Sequence, residues 1–288
     1  MGLDRRNFLK TMGVAGAALA VGKPSQAAGN KGKYTEFYGI LYDSVKCIGC
    51  QNCEVACTET YGFPEITDTP LVGTERHTSE TRRTILNVQE TSRGEVYTRE
   101  QCMHCNEPAC AAACLTQAMY KTEEGPVIWR GDKCMGCRYC MVSCPFDVPK
   151  FEYHSSNPKI EKCTMCYERI MEGGIPACVE SCGFDALLFG TRRELLTEAR
   201  KRICAEPTKY SDHIFGEKEA GGTGLLMLTP LRPQELGYRT NIGNESYPAL
   251  TKGFLFAVPS VFVLIPPLLL GIHEATKNKG SKQEEEEV

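Results

Sequence analysis

The stretch Cys134–Pro145, "CMGCRYCMVSCP", places four cysteines at intervals of two, two and three residues, with a proline after the last. A disulfide needs its two cysteines at a fixed separation with their side chains facing, which suits crowded thiols along one short stretch poorly. Convergence on a metal suits them better. Such a stretch should have counterparts, and the chain contains three. Cys47, Cys50, Cys53 and Cys57 in "CIGCQNCEVAC" repeat the intervals; Cys102, Cys105, Cys110 and Cys114 in "CMHCNEPACAAAC" have two, four and three; Cys163, Cys166, Cys178 and Cys182 have two, eleven and three. Sixteen of the seventeen cysteines fall into these four groups of four.

Zinc is the competing metal, but two C-x2-C pairs complete a structural zinc site. Here a third cysteine follows the pair, directly or after an inserted loop, and a fourth lies three residues beyond it in every group. Closely spaced thiolates suit a tight loop capping three corners of an iron–sulfur cube, and the last step, one helical turn, suits a fourth thiolate carried to a different cube. Four groups with none short of a ligand imply four clusters. An anaerobic preparation should be brown and should bleach on reduction.

The totals agree. A chain of 288 residues with 42% hydrophobic and 24% charged residues is ordinary globular material with room for one or two domains. An odd cysteine count in a chain of this length argues against a secreted disulfide scaffold. A net charge of −3 with no basic stripe excludes a general grip on nucleic acid. No G-x-S-x-G, H-E-x-x-H or phosphate loop appears, so no substrate chemistry is expected of the chain itself and no catalytic residue is assigned.

Both ends read as addresses. Residues 1–27 hold "MGLDRRNFLK", a small-residue apolar run and an exit near "SQAA", the pattern of a secretory signal too short to span a bilayer. Arg5 and Arg6 followed by "NFLK" resemble a twin-arginine export signal, with cleavage expected after Ala27 or Ala28. That route accepts folded proteins, so thiolates can be occupied before they leave the reducing cytoplasm. Gly253–Ile272, "GFLFAVPSVFVLIPPLLLGI", has 20 residues without charge, enough to cross a bilayer core at about 1.5 Å per residue. Pro259, Pro266 and Pro267 are tolerable where neighbours satisfy the backbone. Lys277, Lys279 and Lys282 beyond the span place the tail in the cytoplasm and the body outside it. The expected division is a signal at 1–27, a periplasmic cysteine-rich domain at 28–250, a membrane helix at 251–273 and a charged tail at 274–288.

Taken together, "CIGCQNCEVAC", "QCMHCNEPAC", "DKCMGCRYCMVSCPF", "KCTMCYERI" and "PACVESC" resemble the four-cluster ferredoxin-like electron-transfer subunits that partner molybdopterin oxidoreductases and periplasmic hydrogenases. The resemblance covers roughly residues 34–238. It implies an α+β fold of two interleaved bacterial-ferredoxin-like [4Fe-4S] units, with the membrane helix appended. It also implies that the first group pairs with the fourth and the second with the third, each lending its last cysteine. The implied ligand sets are Cys47, Cys50, Cys53 and Cys182; Cys102, Cys105, Cys110 and Cys144; Cys134, Cys137, Cys140 and Cys114; and Cys163, Cys166, Cys178 and Cys57. Some relatives carry tryptophan where Cys137 stands and bind a three-iron cluster, so the cysteine implies four-iron cubes throughout.

An own twin-arginine signal together with the C-terminal helix is most similar to the iron–sulfur subunit of hydrogenase-2-type nickel–iron hydrogenases. The implied partners are a periplasmic catalytic subunit, an integral subunit that binds quinone or haem, and the bilayer at residues 253–272. A formate dehydrogenase subunit is the alternative, and "GEKEAGGTGLLML" resembles that branch. A scaffold with structural clusters is a further one. Outside the groups, Thr191–Arg202, "TRRELLTEARKR", reads as an amphipathic surface helix. Cys204 is expected as a small buried hydrophobe, His104 as a packing or hydrogen-bonding residue, and His273 as an interfacial histidine. Gly49 and Gly136 serve either as turn residues or to bring backbone N–H groups near a cluster.

Overall fold

The computed structural model describes residues 36–280; the expected signal at 1–27, its cleavage site and the tail beyond Gly280 lie outside the described residues. The elements mix helix and strand, and a four-stranded sheet organises them. Strands β1 (Tyr38–Asp43), β8 (Leu187–Thr191), β9 (Ile214–Phe215) and β10 (Leu225–Leu228) lie in the order β8-β1-β10-β9. The central pair β1 and β10 is parallel, with Ile40 opposite Leu225 and Tyr42 opposite Met227; the outer pairs are antiparallel. Central parallel strands are covered on both faces and read as unbroken apolar runs, and "GILY" and "LLML" do so.

Alternation along these strands sorts the core into two layers. Ile40, Tyr42, Leu225 and Met227 face the cysteine side, where Met103, Met165 and Phe215 join them. Leu41, Leu226 and Leu228 face away, onto Leu195 and Ala199 of helix α6 (Arg192–Ala205). This is the surface helix expected from "TRRELLTEARKR". Thr191 caps it, its hydroxyl accepting from the Glu194 N–H while the Glu194 carboxylate accepts from the Thr191 N–H, a reciprocal capping box. Cys204 is corrected by this helix. It was expected buried, yet it is exposed, because the buried stripe runs through Leu195 and Ala199 and Cys204 falls five residues past Ala199, off that stripe.

The remaining elements are short and belong to the cysteine groups. Helix α1 (Asn52–Tyr61) carries Cys53 and Cys57 and packs on the hairpin of β2 (Thr84–Thr91) and β3 (Gly94–Gln101). Single turns α2 (Ala109–Ala112), α3 (Tyr139–Val142), α4 (Tyr167–Met171) and α5 (Ala177–Glu180) punctuate the other groups. Hairpins β4 (Met119–Lys121) with β5 (Val127–Trp129), and β6 (Lys150–Phe151) with β7 (Ile160–Glu161), separate them. Helix α7 (Tyr247–Gly280) is 34 residues long and runs through all three prolines, longer at both ends than the expected span. Residues 247–274 are long and apolar enough to cross a membrane, with mean hydropathy 2.3 and none of the apolar window buried against the rest of the chain.

Candidate iron–sulfur centres

Each cysteine group opens on the same backbone device. The residue two places after the first cysteine has positive φ in all four: Gly49 (+76°), His104 (+48°), Gly136 (+71°) and Met165 (+57°). A left-handed residue following right-handed ones turns successive N–H groups toward one side and makes an anion-binding concavity. The Met165 N–H donates to the Cys163 sulfur at 3.3 Å, and the Met119 N–H to the Cys114 sulfur at 3.3 Å. Three groups also close alike. Gln117, Asp147 and Asp185, each three residues after a group's final cysteine, have φ of +54°, +53° and +51°. In the first group helix α1 simply continues past Cys57 to Tyr61.

These loops bring thiols from different groups together. One cavity is lined by Cys47, Cys50, Cys53 and Cys182, a second by Cys57, Cys163, Cys166 and Cys178, and a third by Cys114, Cys134, Cys137 and Cys140. The other four, Cys102, Cys105, Cys110 and Cys144, also stand together: burial raises the thiols of Cys105, Cys110 and Cys144, and the nearby Cys102 sulfur adds to the rise in each. Cys204 is remote from all of them in sequence and joins none of these linings.

The sets follow one another in space. Cys178 shares a packed cluster with Cys47, Cys53 and Cys182, which Cys105 also touches; Cys163 shares one with Cys102 and Cys144; Cys110 shares one with Cys114, Cys134 and Cys140. The charges that act across sets are Cys178 on Cys53 and Cys102 on Cys163. The order is therefore the Cys47 set, the Cys163 set, the Cys102 set and the Cys134 set. Only the two ends reach solvent freely, at Cys50 and Cys137, both exposed; every cysteine of the two middle sets is buried or half-buried.

The residues fit an iron–sulfur cluster on two physical counts. Burial pushes the Cys53 thiol up to about 11, Cys140 to about 11 and Cys163 to about 12. Four such thiols ionise together only against compensating positive charge, which a metal centre provides. Finally, buried donors that find no acceptor line the cavities. Arg83 Nη1, both Nη of Arg99 and Gln101 Nε2 face the Cys163 set, and Trp129 Nε1 faces the Cys134 set. Buried donors normally find a partner, and cluster sulfur is an acceptor of the right charge.

Charged side chains that sequence reading did not single out frame this region. The Arg99 side chain is among the largest fully buried ones in the chain. Burial works against its charge, and the thiols of Cys53, Cys178 and Cys163 outweigh burial and keep it protonated. Lys162, 2% exposed, bridges the next pair of sets, its Nζ donating to the carbonyls of Val127 and Cys163. Lys121 donates to the His104 and Cys105 carbonyls at 3.0 and 2.8 Å. His104 itself is fully buried and neutral: burial, then Lys162 and Lys121, hold it well below the ordinary histidine range. Its Nδ1 accepts from the Val127 N–H at 2.9 Å, so it acts as a hydrogen-bonding residue between the second group and β5. His273 is exposed on α7. The signal available for Arg99 was slight: an arginine on a strand face between Tyr97 and Gln101.

Comparison with known proteins agrees with this construction. Residues 95–192 match a 4Fe-4S dicluster domain, which takes in the last three cysteine groups, and residues 2–22 match a twin-arginine translocation pathway signal sequence. A protein of Nitratidesulfovibrio vulgaris is 40% identical over 297 residues, covering 99% of this chain and 80% of the relative. The hydrogenase-2 operon protein HybA of Escherichia coli O157:H7 is 36% identical over 79% of this chain and 81% of its own. The formate dehydrogenase-O iron–sulfur subunit of Escherichia coli K12 is 31% identical over 67% of each. Identity at these levels across most of both chains, on a body that gathers its thiols around cavities, leads to one assignment. The chain belongs to the family of 4Fe-4S iron–sulfur subunits that transfer electrons within respiratory oxidoreductase complexes.

Proposed function

We propose that the four cysteine sets hold four [4Fe-4S] clusters in the spatial order given above, on two interleaved ferredoxin-like units. The chain would then link a periplasmic catalytic subunit to a quinone-reactive subunit in the membrane. The observation that carries this reading is that three cavities are each ringed by three thiols of one group and a fourth from another. When bound, the clusters supply one-electron redox centres. The protein's own part is to hold the thiolates, exclude water from the middle of the row and present its ends.

The ends differ in what surrounds them. Exposed Ile48, Val55 and Phe184 lie near Cys50 in sequence or along its cavity, and exposed Met135, Tyr139 and Val142 lie in the stretch around Cys137. Apolar patches of this kind mark protein interfaces. The root of α7 supports an orientation: Pro248, Lys252 and Phe256 line a cleft with Pro108, Ala111 and Ala112 of the second cysteine group, and Ser246 donates to Glu107 at 2.5 Å. The half of the row holding the Cys102 and Cys134 sets therefore faces the membrane partner, and the Cys47 set faces the catalytic one. The export signal and the apolar helix support a body on the periplasmic face of the inner membrane with a single C-terminal anchor.

The hydrogenase-2 relative and the chain's own export signal favour a nickel–iron hydrogenase as the catalytic partner; a formate dehydrogenase is the second reading, on the relative at 31% identity. Anaerobic purification from mildly solubilised membranes tests both levels. Four clusters require about sixteen iron and sixteen sulfide per chain, and the co-purifying subunit identifies the complex. About eight iron would reduce the row to two clusters. Cys140→Ser that leaves the complex assembled and electron flow to quinone intact would make the clusters structural.

A further inference from the structure

Arg99 is a buried charge whose counter-charge comes from cysteine sulfur rather than from a carboxylate. It is 1% exposed, and its Nε donates to Gln101 Oε1 at 2.8 Å. Neither Nη atom has an oxygen or nitrogen acceptor, the Cys178 sulfur is the group the guanidinium reaches, and the charges that act on it are cysteine and tyrosine rather than carboxylate. An uncompensated buried charge costs several kcal/mol, so a counter-charge belongs beside it. Gln101 is held in the same sense. Its Oε1 accepts from Arg99 and from the Thr84 hydroxyl, at 2.8 and 3.3 Å, which leaves Nε2 as an unspent buried donor. Arg83 repeats the pattern: its Nε and Nη2 both donate to Glu161, and its Nη1 finds no acceptor. All three residues line the cavity of Cys57, Cys163, Cys166 and Cys178. The Arg99 charge also acts on Cys53, but the cavity of Cys47, Cys50, Cys53 and Cys182 has no unspent donor in its lining and opens to solvent at Cys50.

We propose that Arg99, with Gln101 and Arg83, donates hydrogen bonds to the sulfur atoms of the cluster in the Cys57–Cys163–Cys166–Cys178 cavity and holds its reduction potential above that of the neighbouring surface cluster. Reduction adds one negative charge, and positive charge with fixed donors stabilises the reduced form more than the oxidised one. The lysines near the next set act less directly, because the Nζ atoms of Lys162 and Lys121 are engaged by backbone carbonyls. Arg99 is thus a positioning and tuning residue, and it makes the second site a local sink for an electron arriving at the exposed end. This inference rests on the four-cluster reading.

Potentiometric titration of the full-length, iron-loaded protein, followed by electron paramagnetic resonance, tests it. The surface cluster is assigned by the signal that Cys50→Ser perturbs. In the parent protein its neighbour is expected to reduce first. Arg99→Met, with iron content equal to the parent's, is expected to shift that neighbour's reduction equilibrium at least tenfold toward the oxidised form, ~59 mV for a one-electron couple. Arg99→Lys, which keeps the charge without the fork, recovers part of the shift. Gln101→Glu gives the guanidinium a carboxylate partner and moves the same cluster the same way; it decides the matter if Arg99→Met loads incompletely. Unchanged potentials in either iron-complete variant, or an equal shift of all clusters, overturn the proposal. Iron counting on the parent reports separately on the reading beneath it: too little iron fails that reading, whereas full iron with unshifted potentials fails only this one.

Discussion

Gly49 and Gly136 hold the same place in their loops with nearly the same backbone, φ +76° and +71°, yet their surroundings differ. A Cβ on Gly49 would stand 2.3 Å from the Tyr97 ring, whereas one on Gly136 would meet nothing within 4 Å. Gly136→Ala therefore carries only the backbone penalty, about 1 kcal/mol, and Gly49→Ala that penalty plus displacement of Tyr97. Gly49→Ala is expected to lower the denaturant midpoint further and to lose iron first from the Cys47 set; equal losses in the two variants would contradict the close approach. The two glycines were visible in the sequence as punctuation. That His104 and Met165 adopt the same left-handed turn was not, because neither residue type advertises it. Cys204 shows the opposite failure, a residue type most often buried that sits on the outer side of α6. In the loaded protein it is expected to be the fast-reacting thiol toward maleimide, and Cys204→Ser should abolish that labelling with iron unchanged. Labelling that persists would mean that exposed cluster cysteines are free.

At the scale of elements, the first cysteine helix is fastened by a buried ion pair. Arg76 donates through Nη2 to Glu54 Oε1 at 2.8 Å and through Nη1 to Oε2 at 3.3 Å, and the Leu86 N–H donates to the same carboxylate at 2.6 Å. Glu54 is 1% exposed and Arg76 9%. Removing one partner of a buried pair strands the other and costs about 3–5 kcal/mol. Arg76→Leu should therefore release α1 from β2, read as a fall of that size in unfolding free energy and as loss of the cluster bounded by Cys53. A change under about 1 kcal/mol would mean that water rescues Glu54. A second tie joins the end of β1, just before Cys47, to α6 and the segment after it: Asp43 accepts from Arg202 Nη1 at 2.7 Å and from the Tyr210 hydroxyl at 2.9 Å. The helix itself was legible from its periodicity and its Thr191–Glu194 box. These ties were not, since Glu54 and Arg76 are 22 residues apart and Asp43 and Arg202 are 159 apart, separations at which charge pattern carries no pairing information.

For the whole molecule, the grouping of cysteines was the most legible feature, because metal-ligand spacing is local and periodic. The spatial order of the sets was not in the spacing; it follows from which loops the sheet and hairpins bring together. The apolar helix was legible by length and lack of charge, and its independence from the body can be tested. Deleting residues 253–288 removes most of α7, whose apolar window buries nothing against the body. The shortened chain is expected in the soluble periplasmic fraction with full iron content. Retention on membranes would mean that partner subunits alone suffice to hold it. The β2–β3 hairpin has a longer reach than its size suggests. Tyr97, Arg99 and Gln101 share one face of β3, opposite Val88, Leu86 and Thr84, while Glu100 belongs to the other face. Only Ser92 and Arg93 join the two strands. A slip of one residue in this ladder would turn the guanidinium outward and present the Glu100 carboxylate to the thiols in its place. The polarity of the chain's interior, attractive or repulsive to added electrons, is thus decided by the length of a two-residue turn.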